Sequence, residues 1–402
     1  MKILVVTQFF YPEEFKVNDL VKGMVEKGHE VTVLTGKPNY PKGKIYDGYR
    51  MWGVQKEEVF GAKVIRVPVI PRGKGTTLPL VTNYFSYIFF SCFYQMTHRL
   101  RPDKIFVWDS SPILQAYAAI RVKKKTKVSM SMWVQDLWPE SVTATKGYKD
   151  GFVMRLLNKM VRNIYKHFDS LFVQCPAFEQ SIREKGDFKA KYIYAPNWAE
   201  DIFLTPDDQI DAEKYKALMP QQGFIVMFAG NIGAAQDFEA IIEAAKITSK
   251  DPDIRWVIVG DGRMKEAVEA KIREEKLQDR FWFLGRHPYT EMPNFFVHAD
   301  AMLVSLKDEY IFSLTIPSKT QAYMAAGKPI LTMINGSGND VVTEAHCGLT
   351  AKAGDARQLA ENILRMKSMT REELSQLGAN GRQYYQQHFM KEKIIDRIIE
   401  NL

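Results

Sequence analysis

The sequence predicts an α/β protein of two domains, each a mostly parallel sheet with helices on both faces. Three observations predict it. The chain has 402 residues, more than a single hydrophobic core usually serves, so two domains of about 200 residues are the default. Short apolar runs alternate with helix-like stretches, the rhythm of strand, crossover helix and parallel strand. That rhythm pauses after Trp198 and restarts at Phe224.

In the first half, Ile3 to Thr7 reads as a strand, Lys16 to Lys27 as a helix and Glu30 to Thr35 as the next strand. Ala62 to Val67, Lys104 to Val107, Val128 to Val134 and Ser170 to Gln174 supply further strands, with helices near 80–98, 112–122, 151–167 and 176–185. The change comes around Tyr192 to Trp198, and the polar stretch Asp201 to Pro220 connects the halves. The second half opens with strand Phe224 to Ala229, a helix near 236–249, strand Trp256 to Val259 and a helix near 263–275. Phe281 to Leu284, Ala301 to Val304 and Pro329 to Thr332 are its later strands, and 371–400 is a final helical segment. The expected domains are 1–196 and 197–382, with a helix over 383–402 packing back on the first. Asn335 to Asn339 is the main flexible point.

Composition narrows the function. A hydrophobic content of 46% suffices for two cores, and 55 basic against 47 acidic side chains leave a charge of +8, which favours phosphates or anionic surfaces. Basic residues gather at Arg121 to Lys127 and at Arg99 and Arg101, yet no nucleic-acid module is recognisable, so nucleic acid is not an expected partner. Cys92, Cys175 and Cys347 have neither metal-ligand nor disulfide spacing, which fits a reducing compartment and no metal. The start, Met1 to Thr7, is too short for a signal-peptide core, so cytoplasm is the expected side. Leu78 to Met96 is dense in aromatics but broken by polar residues, too weak for a membrane span. Two readings stay open: a buried or packing helix, or an interfacial helix with Arg72, Lys74, Arg99 and Arg101 near lipid phosphates.

Four loops of the second half carry anion chemistry. Gly230-Asn231-Ile232-Gly233 follows an apolar strand and precedes a helix, so its glycines admit close backbone approach and helix amides face an anion. Gly260-Asp261-Gly262-Arg263 repeats the arrangement, with Arg263 either a phosphate ligand or a helix-capping residue. At Arg286 and His287 the backbone suits a nucleobase edge, although His287 equally suits a satisfied loop position. Pro317-Ser318-Lys319 has the strongest case: a lysine at a helix start, before the small-residue stop Ala325-Ala326-Gly327, offsets diphosphate charge.

Taken in order, these residues resemble the retaining glycosyltransferases of family 4, which have the GT-B fold of two Rossmann-like domains facing across a cleft. Further marks are Phe10-Tyr11-Pro12-Glu13, Lys27-Gly28-His29-Glu30-Val31, Thr35 to Pro41 and Gln135 to Glu140. The pattern is similar to the bacterial branch of colanic-acid and O-antigen glycosyltransferases, including the L-fucosamine transferase group. The resemblance implies an acceptor-binding first domain and a nucleotide-sugar-binding second domain. It assigns acceptor roles to Glu13, Phe15, Lys16, Trp133 and Trp138, and catalytic roles to Asp136, Glu14 and Lys319. It assigns donor roles to Gly230, Asn231, Gly233, Arg263, Arg286, His287, Pro317, Ser318, Lys319, Asn339, Asp340 and Glu344. Two departures stand out. Asn231 and Gln236 replace the usual donor-loop Arg and Lys, and Leu314 and Ala322 replace two glutamates eight positions apart.

The expected reaction moves a sugar, an N-acetylated amino sugar such as L-FucNAc, from a UDP-sugar to a polyprenyl-diphosphate-linked saccharide at the inner membrane surface. Retention of configuration is what the resemblance implies, and no metal or other cofactor is expected, since no Asp-x-Asp motif sits in a donor loop and fixed cations can replace the ion. The competing expectations are a noncatalytic nucleotide-sugar or polysaccharide-assembly module and a UDP-sugar epimerase.

Overall fold

The computed structural model describes residues 1–142 and 151–402. The chain divides into one unit of Met1–Pro196 with Glu392–Leu402, and a second of Asn197–Lys391.

In the first unit β1 (Lys2–Val6), β2 (Glu30–Gly36), β3 (Gln55–Val59), β4 (Ala62–Val67), β5 (Lys104–Asp109), β6 (Ser129–Val134), β7 (Ser170–Val173) and β8 (Lys191–Tyr194) form one sheet. Its order is β3-β4-β2-β1-β5-β6-β7-β8, and every pairing is parallel except β3 with β4. The chain leaves β1 toward β2 and later returns to β5 on its other side. The C-terminal ends of β1 and β5 therefore flank the crevice where open parallel sheets bind ligands. Helix α1 (Lys16–Glu26) buries Val17, Leu20, Val21 and Met24, the 3.6-residue stripe that holds a helix on a sheet. Gly23 on the same face leaves room for Ile395, whose side chain comes within 2.9 Å of where a Cβ would stand. That notch seats the terminal helix Lys391–Glu400.

The second unit has β9 (Phe224–Ala229), β10 (Ile254–Val259), β11 (Phe281–Gly285), β12 (Ala301–Ser305), β13 (Ile330–Met333) and β14 (Gly348–Ala351). Their order is β11-β10-β9-β12-β13-β14 and all pairings are parallel. All six residues of β9 are buried, as a central strand covered on both faces requires. Here the reversal of order falls between β9 and β12.

Two expectations change and one left open is narrowed. The segment 371–400 is two helices, because Arg371–His388 stops before Lys391–Glu400 begins. The first starts in a reciprocal cap, Glu373 N–H to Thr370 Oγ1 at 3.2 Å and Thr370 N–H to Glu373 Oε2 at 2.7 Å. It belongs to the second unit, and only the tail from Glu392 joins the first. The flexible point at 335–339 contains the start of a helix, Ser337–Glu344. Gly336, at φ +67°, makes the turn into it. Finally, the aromatic segment forms the 21-residue helix α2 (Thr77–Thr97), and its buried residues are Asn83, Ser86, Tyr87, Ser91, Tyr94 and Gln95. The apolar side chains point outward: Leu78 is 73% exposed, Phe85 56%, Phe89 63%, Phe93 57% and Met96 67%. No helix among the described residues is long and apolar enough to cross a membrane.

Candidate functional site

Two strand-to-helix turns of the second unit are pressed together, and their glycines make this possible. A Cβ on Gly260 would stand 1.9 Å from the Gly230 carbonyl oxygen, and one on Gly262 would stand 2.3 Å from that of Ile232. Hydrogen bonds stitch the same turns: Gly230 N–H to Val259 O at 2.8 Å, Ile232 N–H to Asp261 O at 2.9 Å, and Met264 N–H to Ile232 O at 3.0 Å. The turns form one wall of a 540 Å³ cavity at the C-terminal ends of β9 and β10.

Lys319 enters from the helix Ser318–Ala325. Its stem lies across Gly230, where a Cβ would come within 2.6 Å of Cε and 2.8 Å of Nζ. Gly230 also has φ +137°, so the conformation favours glycine, and the stem keeps this path only while 230 has no side chain. The ammonium sits 3.5 Å from the centre of the Phe228 ring, a cation–π contact that partly replaces lost hydration. Burial pushes the ammonium down to about 7, with no charge among the described residues to offset that cost. A cation held this way is stabilised by an incoming anion. The helix is anchored from behind: the Tyr323 hydroxyl accepts from Ala229 N–H at 3.2 Å, and Gln321 Nε2 donates to Asn197 O at 2.7 Å.

Of the donor residues expected from sequence, Gly230, Asn231, Arg286, His287, Ser318 and Lys319 line this cavity. The His287 ring is engaged elsewhere. Its Nε2 lies 3.0 Å from Leu284 O, and the ring packs against Tyr215 and Phe295. Gly233, Pro317 and the exposed Arg263 lie outside the lining. Gly233 donates its N–H to Gln236 Oε1 at 3.1 Å. Asn339, Asp340 and Glu344 are on a helix rather than a loop, and none lines the cavity. Asn339 accepts from Thr332 Oγ1 and donates to the Ile334 and Ala351 carbonyls, clamping β13 to β14. Glu344 is exposed in the last turn and borders Tyr384. Sequence reasoning missed the apolar side of the cavity, Phe203, Tyr289, Met292 and Phe296, because nothing distinguishes such residues from core.

In the first unit Asp136 follows β6, and its Oδ2 accepts from Ser111 N–H at 2.9 Å. Beside it Asp109, absent from the sequence expectations, is wholly buried, with the Gln115 side chain as a weak hydrogen-bonding neighbour. Burial first, and then the Asp136 charge, hold its carboxyl well above the usual range. Glu14 is exposed, and Phe15 stacks among Phe9, Tyr40 and Trp108. Lys16 opens α1.

Three acceptor-side residues are placed differently from a wall of contacts. Glu13 is buried, and its carboxylate accepts from the backbone N–H groups of Asn39 at 2.8 Å, Tyr40 at 2.7 Å and Phe10 at 3.2 Å. Its oxygens thus hold two loops together. Burial raises it to about 7 against the pull of those three bonds. Trp133 is wholly buried, its Nε1 donating to Ala195 O at 2.8 Å, so β6 packing claims it. Trp138 is nearly buried and donates to Ser111 Oγ at 3.0 Å. Among the described residues no group of three or more His, Cys, Asp or Glu is placed to hold a metal ion.

Comparison with known proteins follows the same division. Residues 14–198 match the Glycosyl transferase 4-like domain, and residues 209–384 match Glycosyl transferases group 1. A colanic acid biosynthesis glycosyl transferase of Escherichia coli, WcaI, is 28% identical over 339 residues, 81% of this chain and 82% of that protein. A glycosyltransferase of Pseudomonas aeruginosa, WbjE, is 26% identical over 73% of each chain. Among solved structures, Anabaena HepE in complex with UDP and glucose superposes with a TM-score of 0.67 at 16% identity, covering 100% of this chain and 99% of that one. With both family matches, these relatives and two parallel-sheet units of this topology, the chain is a glycosyltransferase of the GT-B type.

Proposed function

We propose that this glycosyltransferase moves an N-acetylated amino sugar, L-FucNAc among the candidates, from a UDP-sugar to a polyprenyl-diphosphate-linked saccharide in O-antigen or capsule synthesis. Transfer proceeds with retention of configuration and calls for no metal. The observation that carries the reading is Lys319, a buried cation with no counter-charge among the described residues, laid over Gly230 in a cavity walled by backbone turns. As the sugar–phosphate bond breaks, negative charge grows on the departing diphosphate. A cation already fixed there stabilises that charge with little reorganisation. HepE, with UDP and glucose bound, supports a nucleotide-sugar donor by analogy. The likeness to WcaI supports polysaccharide assembly. Asp136 is assigned to orienting the acceptor hydroxyl.

The outward apolar stripe of α2 supports work at the cytoplasmic membrane surface. A helix that buries Asn83, Ser86 and Gln95 while exposing Phe85, Phe89 and Phe93 reverses the usual amphipathic order. An interfacial seat for that stripe satisfies it.

The test is a mass-spectrometric screen of UDP-GlcNAc, UDP-GalNAc and UDP-L-FucNAc against polyprenyl-diphosphate-linked monosaccharides. An acceptor-dependent gain of one sugar mass is the expected result. UDP-sugar conversion without any acceptor, or binding without product across the panel, would overturn it.

A further inference from the structure

A second cavity, in the first unit, has a chemistry of its own. It encloses 380 Å³ between the loops after β2 and β4, and its lining carries Lys42, Lys44, Arg72 and Lys74 with no carboxylate. Four cations concentrated in two short loops repel one another, an arrangement an anion relieves. Aromatic rings hold two of them without neutralising them: Lys42 lies 4.9 Å over Tyr46 and Arg72 4.8 Å over Tyr40.

The backbone beneath is built for close approach. Gly73 donates its N–H to Gly43 O at 3.1 Å, and Gly43 donates its own to Asn39 O at 2.7 Å. A Cβ on Gly43 would stand 1.8 Å from the Gly73 carbonyl oxygen, so the loops cross at a point only glycine permits. Asn39 ties them further, its Oδ1 accepting from Arg72 N–H at 3.2 Å and Asn83 Nδ2 at 3.3 Å. Its own N–H donates to Glu13. The cations therefore sit on a rigid frame rather than on free loops.

Position identifies the anion. Helix α2 starts just beyond Gly75, so the cavity adjoins the end of the helix whose exposed face is Leu78, Phe85, Phe89 and Phe93. Arg72 and Asp136 are both charged neighbours of the Tyr84 hydroxyl on the same helix. An anionic group lodged here is near both the helix that carries the apolar stripe and, through Tyr84, the carboxylate assigned to the acceptor hydroxyl. We infer that Lys42, Lys44, Arg72 and Lys74 bind the diphosphate of an isoprenoid-diphosphate-linked saccharide, with the isoprenoid leaving along α2 and the saccharide toward Asp136. This rests on the proposed lipid-linked acceptor and adds the site that recognises its charged link.

The test uses the full chain saturated with UDP, so that the Lys319 cavity is occupied, and titrates farnesyl diphosphate into wild type and the triple variant K42A/K44A/K74A. All three lysines are exposed, and the melting temperature and UDP affinity report whether the variant is folded. Wild type is expected to bind, and the variant to bind about tenfold or more weakly, since charge-assisted contacts dominate such a site. No binding by wild type, or equal binding by the variant, would overturn the inference. Retention on phosphatidylcholine/phosphatidylglycerol vesicles is measured in parallel. Loss of retention with farnesyl diphosphate binding intact would assign the cations to bilayer headgroups and also overturn it. If farnesyl diphosphate binds through these lysines but no lipid-linked saccharide is elongated, the proposed acceptor falls while the diphosphate site stands.

Discussion

Binding of UDP should draw a proton from solution, and the proton should go to Lys319. In the unliganded protein burial brings its ammonium down to about 7, so the lysine is about half protonated at pH 7 and about one-tenth protonated at pH 8. A diphosphate beside Nζ favours the charged form and returns the group toward its ordinary range. Uptake per UDP bound is then about 0.5 proton at pH 7 and about 0.9 at pH 8, and affinity falls up to about tenfold per pH unit above 7. The terminal phosphate of UDP, with a pKa of about 6, is almost fully ionised throughout and adds little. The sign for stability runs the same way. Between about 7 and the ordinary lysine value the unfolded chain binds more protons than the native one, so the unliganded second unit gains stability as pH rises through that window. Isothermal titration in two buffers of unlike ionisation enthalpy, at pH 7 and pH 8, measures the uptake. Uptake that does not rise between the two, or that persists in Lys319→Ala, would refute the reasoning.

Two further outcomes separate positions that look alike in sequence. Gly230→Ala meets only the movable end of Lys319, so it should cost about 1–3 kcal/mol for the unusual φ yet weaken UDP binding as Lys319→Ala does. Gly260→Ala drives a Cβ against the Gly230 carbonyl, which has nowhere to go, and should lower the melting temperature by more than Gly230→Ala, with a cost of about 3 kcal/mol or above. For the first unit, burial raises Glu13 from the ordinary carboxylate range to about 7. Its stabilising contribution is complete below the unfolded value and is lost as pH rises through about 7. Wild-type melting temperature should fall between pH 5 and 8. Glu13→Gln should flatten that slope while lowering the value at pH 5 by about 4 °C, because an amide N–H would face Phe10 N–H. A slope unchanged by Glu13→Gln would count against burial as its cause.

The buried strands were legible because buried parallel strands read as continuous apolar runs, as β1, β9 and β12 do. Strand β3, Gln-Lys-Glu-Glu-Val, was not, since an antiparallel edge strand half in solvent carries no apolar signal. Strand β14 begins with glycine and was equally silent. In the site, Lys319 and the glycine turns declared themselves through spacing. Asp109 did not: a carboxylate at the end of an apolar strand looks like a solvated strand end until the fold shows it without access to water. Asn339 was misread for the opposite reason, because a Gly-Ser-Gly-Asn run suggests a loop and conceals the helix start that Gly336 permits. The Lys42–Lys74 pocket joins loops about 30 residues apart, a proximity only the β2–β4 pairing creates.

The passage of the Lys319 stem over Gly230 makes two distant positions a single unit of inheritance. A side chain at 230 takes the space that Cε and Nζ occupy, so such a change moves the ammonium off the turn unless the residue at 319 is shorter. Descendants that keep a long cation laid over this turn are bound to keep glycine at 230. A chain that loses glycine at 230 is free to drift at 319, and with that drift the chemistry of this cavity would pass to different residues.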